Sequence, residues 1–222
     1  MKLLSIARSK AIWLFPTNDL NPKGAFNGDL LDSLRSRYNF QVVPTPAQLF
    51  EFDTKKQAVQ LAMGSFKSTD GEVGVSLTYY TDGLIAETRG TTARADEFLA
   101  DVLAWVHDEY GYAEPSSLKM RKVYSSELHV SLQDTLSLIN PALDNIAGAY
   151  GTRAKWSGQS NRFEVTGISF GSDPASKAQV PPFRLERDIN APFDEQRYYS
   201  VAPLQTADHL QILGQVESLL HL

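Results

Sequence analysis

Of the four histidines in the chain, His107, His129, His209 and His221, only His129 has an acid placed to act with it on an extended strand. Glu127 lies two residues earlier, so both side chains point to the same face of a strand. A carboxylate in that position orients or charges an imidazole, as acid-base sites require near neutral pH. The same pair on a solvated sheet face is an ordinary polar contact. A reaction would need a third group, and Asp188 and Arg187 are the candidates from a neighbouring strand. His107, beside Asp108 and Glu109, and His209, in the first turn of a helix, read as surface or capping residues, and His221 is next to the last residue.

A second concentration of functional side chains lies in Arg184-Leu185-Glu186-Arg187-Asp188 and Glu195-Gln196-Arg197-Tyr198-Tyr199. Guanidinium groups grip carboxylates or phosphates through paired hydrogen bonds, and tyrosine supplies contact area at low rotamer cost. Arg184, Arg187, Arg197, Tyr198 and Tyr199 are therefore candidate binding residues, against the alternative of a ladder of ion pairs on an exposed face. Arg187 carries a local conflict, because strand alternation puts it with Phe183, Leu185 and Ile189. A charge on an apolar face is paired with a buried acid, sits at the sheet margin, or waits for a ligand.

The chain has no Gly-x-Ser-x-Gly nucleophile elbow, no Walker loop and no Gly-x-Gly-x-x-Gly fingerprint. Without cysteine it has no disulfides, no thiolate nucleophile and no sulfur ligands for zinc. The histidines are too scattered for a local metal motif. No cofactor and no metal are expected.

The elements that must position these residues follow from hydrophobic periodicity. A short buried strand is predicted over 11–15, a loop over 18–28, and a helix over 29–38 with Leu30, Leu31, Leu34 and Tyr38 on one face. Pro44 and Pro46 interrupt regular structure. Strands over 58–66 and 72–88 are separated by Asp70-Gly71 and Asp82-Gly83, pairs suited to tight hairpins. A helix then carries Phe98, Leu99, Val102, Leu103, Val106 and Tyr110 inward and stops at Gly111. Tyr79, Tyr80, Trp105 and Trp156 read as packing residues.

After a connector at 114–119, a strand over 124–130, a helix from Asn140-Pro141 to Gly151, and strands over 163–170, 183–189 and 198–201 are expected. A last helix capped by Thr206 presents Leu210, Leu213, Val216 and Leu220. The order suggests two lobes, 1–115 and 116–222, each a β-α-β-β-α unit, whether or not they form one continuous domain. The fold class is α+β, with antiparallel sheet and helices packed on one face.

With 26 acidic and 21 basic side chains among 222 residues, the formal charge is -5, which disfavours nonspecific adhesion to nucleic acid or anionic membrane. No apolar run reaches the length of a secretory core or a membrane span. A cytoplasmic protein is expected, leaning away from an enzyme and toward an interaction or assembly subunit that binds a protein partner or itself. The alternative is a hydrolase or transferase with an atypical His/Glu/Arg/Asp site. A third reading takes the doubled order as a nucleic-acid-binding saddle, similar in element order alone to the repeated lobes of the TATA-binding protein.

Overall fold

In the computed structural model the described residues are 1–22, 29–45, 48–49, 58–68, 70–154, 162–177 and 179–221. Trp156, Pro46, Thr69 and the later part of the loop read at 18–28 lie outside them. The chain has an α+β fold of antiparallel strands and helices, and it divides into two units. The N-terminal unit comprises residues 8–126 with 204–206; the C-terminal unit comprises 127–203 with 1–7 and 207–222.

The N-terminal unit holds β1 (Lys2–Leu14, from Arg8 onward), α1 (Leu30–Tyr38), β2 (Val59–Ser68), β3 (Gly71–Tyr80), β4 (Gly83–Thr88) and α2 (Thr92–Tyr110). Its strands lie in the order β2-β3-β4-β1. β1 is 13 residues long rather than the short strand predicted over 11–15. The apolar run is only its buried end; Arg8 and Lys10 are not strand breakers, because alternation places them opposite buried Ser9, Ala11 and Trp13.

Register aligns Leu61, Leu77, Ala86 and Ala11 in one buried row across the sheet. The small Ala11 and Ala86 leave room above them for the large residues of α2, and Phe98, Leu99, Val102, Leu103 and Val106 are all buried there. The two hairpins form where the Asp-Gly pairs predicted them. Gly83, at φ +157°, cannot carry a side chain: a Cβ would stand 2.2 Å from the Trp13 carbonyl oxygen. α2 is capped by the Thr91 side chain, which accepts from the Arg94 amide, and ends at left-handed Gly111. Trp105 packs edge-on against Tyr38 and Tyr110.

The C-terminal unit holds β5 (Arg121–Ser131, from Glu127 onward), α3 (Ala142–Arg153), β6 (Gly167–Phe170), β7 (Phe183–Arg187), β8 (Arg197–Ala202) and α4 (Thr206–Leu219, from Ala207 onward). Its strands lie in the order β6-β7-β8-β5. Each unit thus runs β-α-β-β-β-α, with one more strand than the predicted β-α-β-β-α. In the second half the three strands lie where they are predicted, at 163–170, 183–189 and 198–201, although only Gly167–Phe170 of the first joins the ladder, so the β-α-β-β-α pattern counts one strand too few.

Phe183, Leu185 and Arg187 of β7, Tyr198, Ser200 and Ala202 of β8, and Leu128 and Val130 of β5 form the buried face. α4 covers it with His209, Leu213 and Val216. His209, not the predicted Leu210, takes the inward position, because the stripe steps 206, 209, 213, 216 and 220. α3 passes through the predicted stop at Gly151 to Arg153, and none of its residues is buried.

Candidate functional site

Strand alternation in the C-terminal unit sorts the candidate residues between two faces. Glu127, His129, Tyr199, Arg184, Glu186 and Arg197 belong to the face away from α4. On that face the Tyr199 hydroxyl donates to Glu127 Oε2. The His129 ring centroid is 5.2 Å from that of Tyr199, and its Nδ1 is 3.7 Å from Asp188 Oδ2. The distance is too long for a hydrogen bond, and an ion pair forms there only when the imidazole is protonated. Asp188 also caps the turn after β7 by accepting from the Asn190 amide at 2.9 Å. Three of the proposed acid-base residues, His129, Glu127 and Asp188, therefore gather through Tyr199, a link that spacing along one strand does not reveal.

Arg187 does not join them. It lies on the α4 side, where its Nη2 donates to Glu164 Oε2 at 2.8 Å and Gln196 Oε1 at 2.9 Å, and its Nη1 donates to the Phe193 carbonyl at 2.6 Å. The guanidinium carbon is 4.9 Å from the centroids of both Phe193 and Tyr198. The conflict visible in the sequence resolves as pairing with a buried acid, Glu164, which Arg162 also contacts. Tyr198 is fully buried beside it, and burial raises its phenol pKa. The five candidate binding residues thus divide: Arg187 and Tyr198 inside, and Arg184, Arg197 and Tyr199 on the other face, with Arg197 held 2.7 Å from Glu195.

His209 is the residue that periodicity at 206, 209, 213 and 216 could have placed inside. It is fully buried, with Nε2 2.8 Å from Ser200 Oγ and its ring edge-on to Phe183. Ser200 spends its only proton on the Arg184 carbonyl at 2.8 Å, so its oxygen accepts from His209 Nε2–H. Burial lowers the His209 pKa to about 4. The serine-histidine pair is sealed from solvent and ties α4 to β8.

A cavity of about 510 Å³ lies along β6 and the end of β7 and includes Asp188, but neither His129 nor Glu127 lines it. His129 and Glu127 consequently lie on an open sheet face, outside the water-excluding enclosure in which electrostatic catalysis is strongest. In the N-terminal unit a cleft of about 320 Å³ is bounded by Ala93, Asp96 and Lys122. There Asp96 already accepts from Trp13 Nε1 at 2.6 Å, Lys122 Nζ at 3.1 Å and Tyr124 at 3.2 Å. Among the described residues no group of three His, Cys, Asp or Glu side chains can hold a metal ion. No helix among them is long and apolar enough to cross a membrane.

Comparison with protein-family models, curated proteins and solved structures finds no match.

α3 carries an unsealed apolar stripe in the C-terminal unit. Leu143, Ile146 and Tyr150 recur at helical spacing on one side, with Ile146 65% and Tyr150 60% exposed. Leu138 and Ile139, in the preceding 3-10 turn at Leu136–Ile139, are exposed as well. Tyr150 meets Phe163 edge-on with ring centroids 4.9 Å apart.

Proposed function

We propose that the protein is a non-enzymatic interaction or assembly subunit whose α3 face docks on a protein surface. The observation that carries this reading is a helix with an apolar stripe and no buried residue. An amphipathic helix ordinarily buries such a stripe in its own core, and an exposed one gains free energy by covering it with a partner. The chemistry on the opposite sheet face supports the same choice, because His129 and Glu127 lie outside the cavity of their unit and only Asp188 lines it.

The test is affinity capture with wild-type and Ile146→Asp baits, alongside light scattering of the free protein over a range of concentrations. Ile146 carries no core burial, so the variant keeps the wild-type melting temperature. Retention of a specific partner, or self-association, falls at least tenfold, which is about 1.4 kcal/mol. Capture and self-association both indifferent to the substitution refute the reading.

A further inference from the structure

A different surface of the C-terminal unit has the makings of a peptide site. β6 ends the strand order, and among the described residues its ladder partner is β7. The Arg187 amide donates to the Thr166 carbonyl at 2.7 Å, which makes that pair a hydrogen-bonded one. Such pairs alternate along an antiparallel ladder, so Ile168 and Phe170 direct their backbone groups toward β7. Gly167 and Ser169 direct theirs outward. The 510 Å³ cavity runs beside this edge, between β6 and the turn from Asp188 to Phe193.

Three features of the wall specify an occupant. Apolar side chains flank the edge: Ile189 is 95% and Phe170 58% exposed. The charge left at the cavity is negative, since Glu186 and Asp188 line it while Arg187 is answered by Glu164. Gly167 stands opposite Glu186 in the ladder and places no side chain between that carboxylate and the edge. Finally, Arg187 lines the cavity with a side chain only 4% exposed, and its Nε–H is buried with no acceptor among the described residues. A buried donor of this kind is costly to leave unpaired.

We infer that the β6 edge receives an extended peptide as an added strand. Its backbone pairs with Gly167 and Ser169, a basic side chain opposite Gly167 reaches toward Glu186 and Asp188, and apolar neighbours cover Phe170 and Ile189. Main-chain bonds supply affinity, and the acidic wall supplies selectivity. This surface is separate from α3 and does not depend on the docking proposed for that helix.

The experiment pans a display library of random octapeptides against the full chain, then titrates the enriched peptides into ¹⁵N-labelled protein. Enrichment of a Lys or Arg between β-branched residues is expected, with the largest amide shifts at Gly167 and Ser169. Ser169→Pro removes an outward N–H that the ladder does not use, and it weakens binding at least tenfold; Glu186→Gln weakens it several-fold. Methylating alternate amides of the peptide abolishes binding to wild-type protein, an independent readout should the proline variant misfold. Ile146→Asp leaves peptide affinity unchanged, which separates this site from α3. Absence of enriched peptides, enrichment of acidic ones, or shifts confined to residues away from 166–170 overturns the inference.

Discussion

His209 makes the stability of this protein depend on pH in a way that can be worked out in advance. Its imidazole is fully buried and neutral, its pKa is lowered by burial to about 4, and the ordinary value is 6.5. Between those values the unfolded chain binds a proton that the folded chain refuses. Stability therefore rises with pH through this window and is lost as pH falls from 6.5 toward 4. The contribution of the single site is about 2 kcal/mol at pH 5 and about 3 kcal/mol at pH 4, with a slope approaching about 1.4 kcal/mol per pH unit between them.

Carboxylates also titrate toward the acid end, so the informative quantity is a difference. Urea unfolding of wild-type protein and His209→Leu at several pH values gives two stability curves. The variant leaves Ser200 bonded to the Arg184 carbonyl, and it loses the histidine-linked slope. The wild-type advantage over the variant is expected to be flat above about pH 7 and to shrink by about 3 kcal/mol at pH 4. An NMR titration of the wild-type ring supplies the second check. A ring that titrates near 6.5 in the folded protein, or a difference curve with no pH dependence, refutes the reasoning.

Replacing Glu164 with Leu leaves the buried Arg187 guanidinium without its carboxylate and is expected to cost about 3–5 kcal/mol by chemical denaturation; a loss below about 1 kcal/mol would show that the ion pair does not hold the turn at 193–196. Gly83→Ala drives a methyl group into the Trp13 carbonyl and should destabilise by about 2 kcal/mol or more. Gly214→Ala in α4 meets nothing within 4 Å and should stabilise by about 0.5–1 kcal/mol, so thermal melts of the two variants shift in opposite directions.

Local chemistry made the N-terminal unit legible. Asp70-Gly71 and Asp82-Gly83 mark their hairpins because few residues tolerate the backbone they need, and Phe98 through Val106 mark α2 because their spacing matches the helical period. β1 was legible only at its apolar end, since the remainder is held by backbone pairing that side-chain composition does not encode. In the C-terminal unit, parity along 183–187 exposed the conflict at Arg187 and left a buried acid as one of three resolutions, beside the sheet margin and a ligand. It could not name Glu164, which lies 23 residues away in an irregular segment. The contact between Tyr199 and Glu127 spans 72 residues and was invisible for the same reason: strand order, not spacing, brings them together.

The contrast between α3 and α4 shows what periodicity leaves undecided. Both helices carry apolar residues at intervals of three and four, yet one stripe is core and the other is open. The buried face of β7 and β8 is already covered by His209, Leu213 and Val216, so among the described residues of its unit the α3 stripe finds no equivalent seat. At 12 residues, with Gly148 and Gly151 inside it, α3 is short for a helix that must persist without packing. A partner laid along Leu143, Ile146 and Tyr150 would bury apolar surface and stabilise the helix at once. Amide exchange in 142–153 should therefore slow when a partner binds, which links the docking of α3 to its folding.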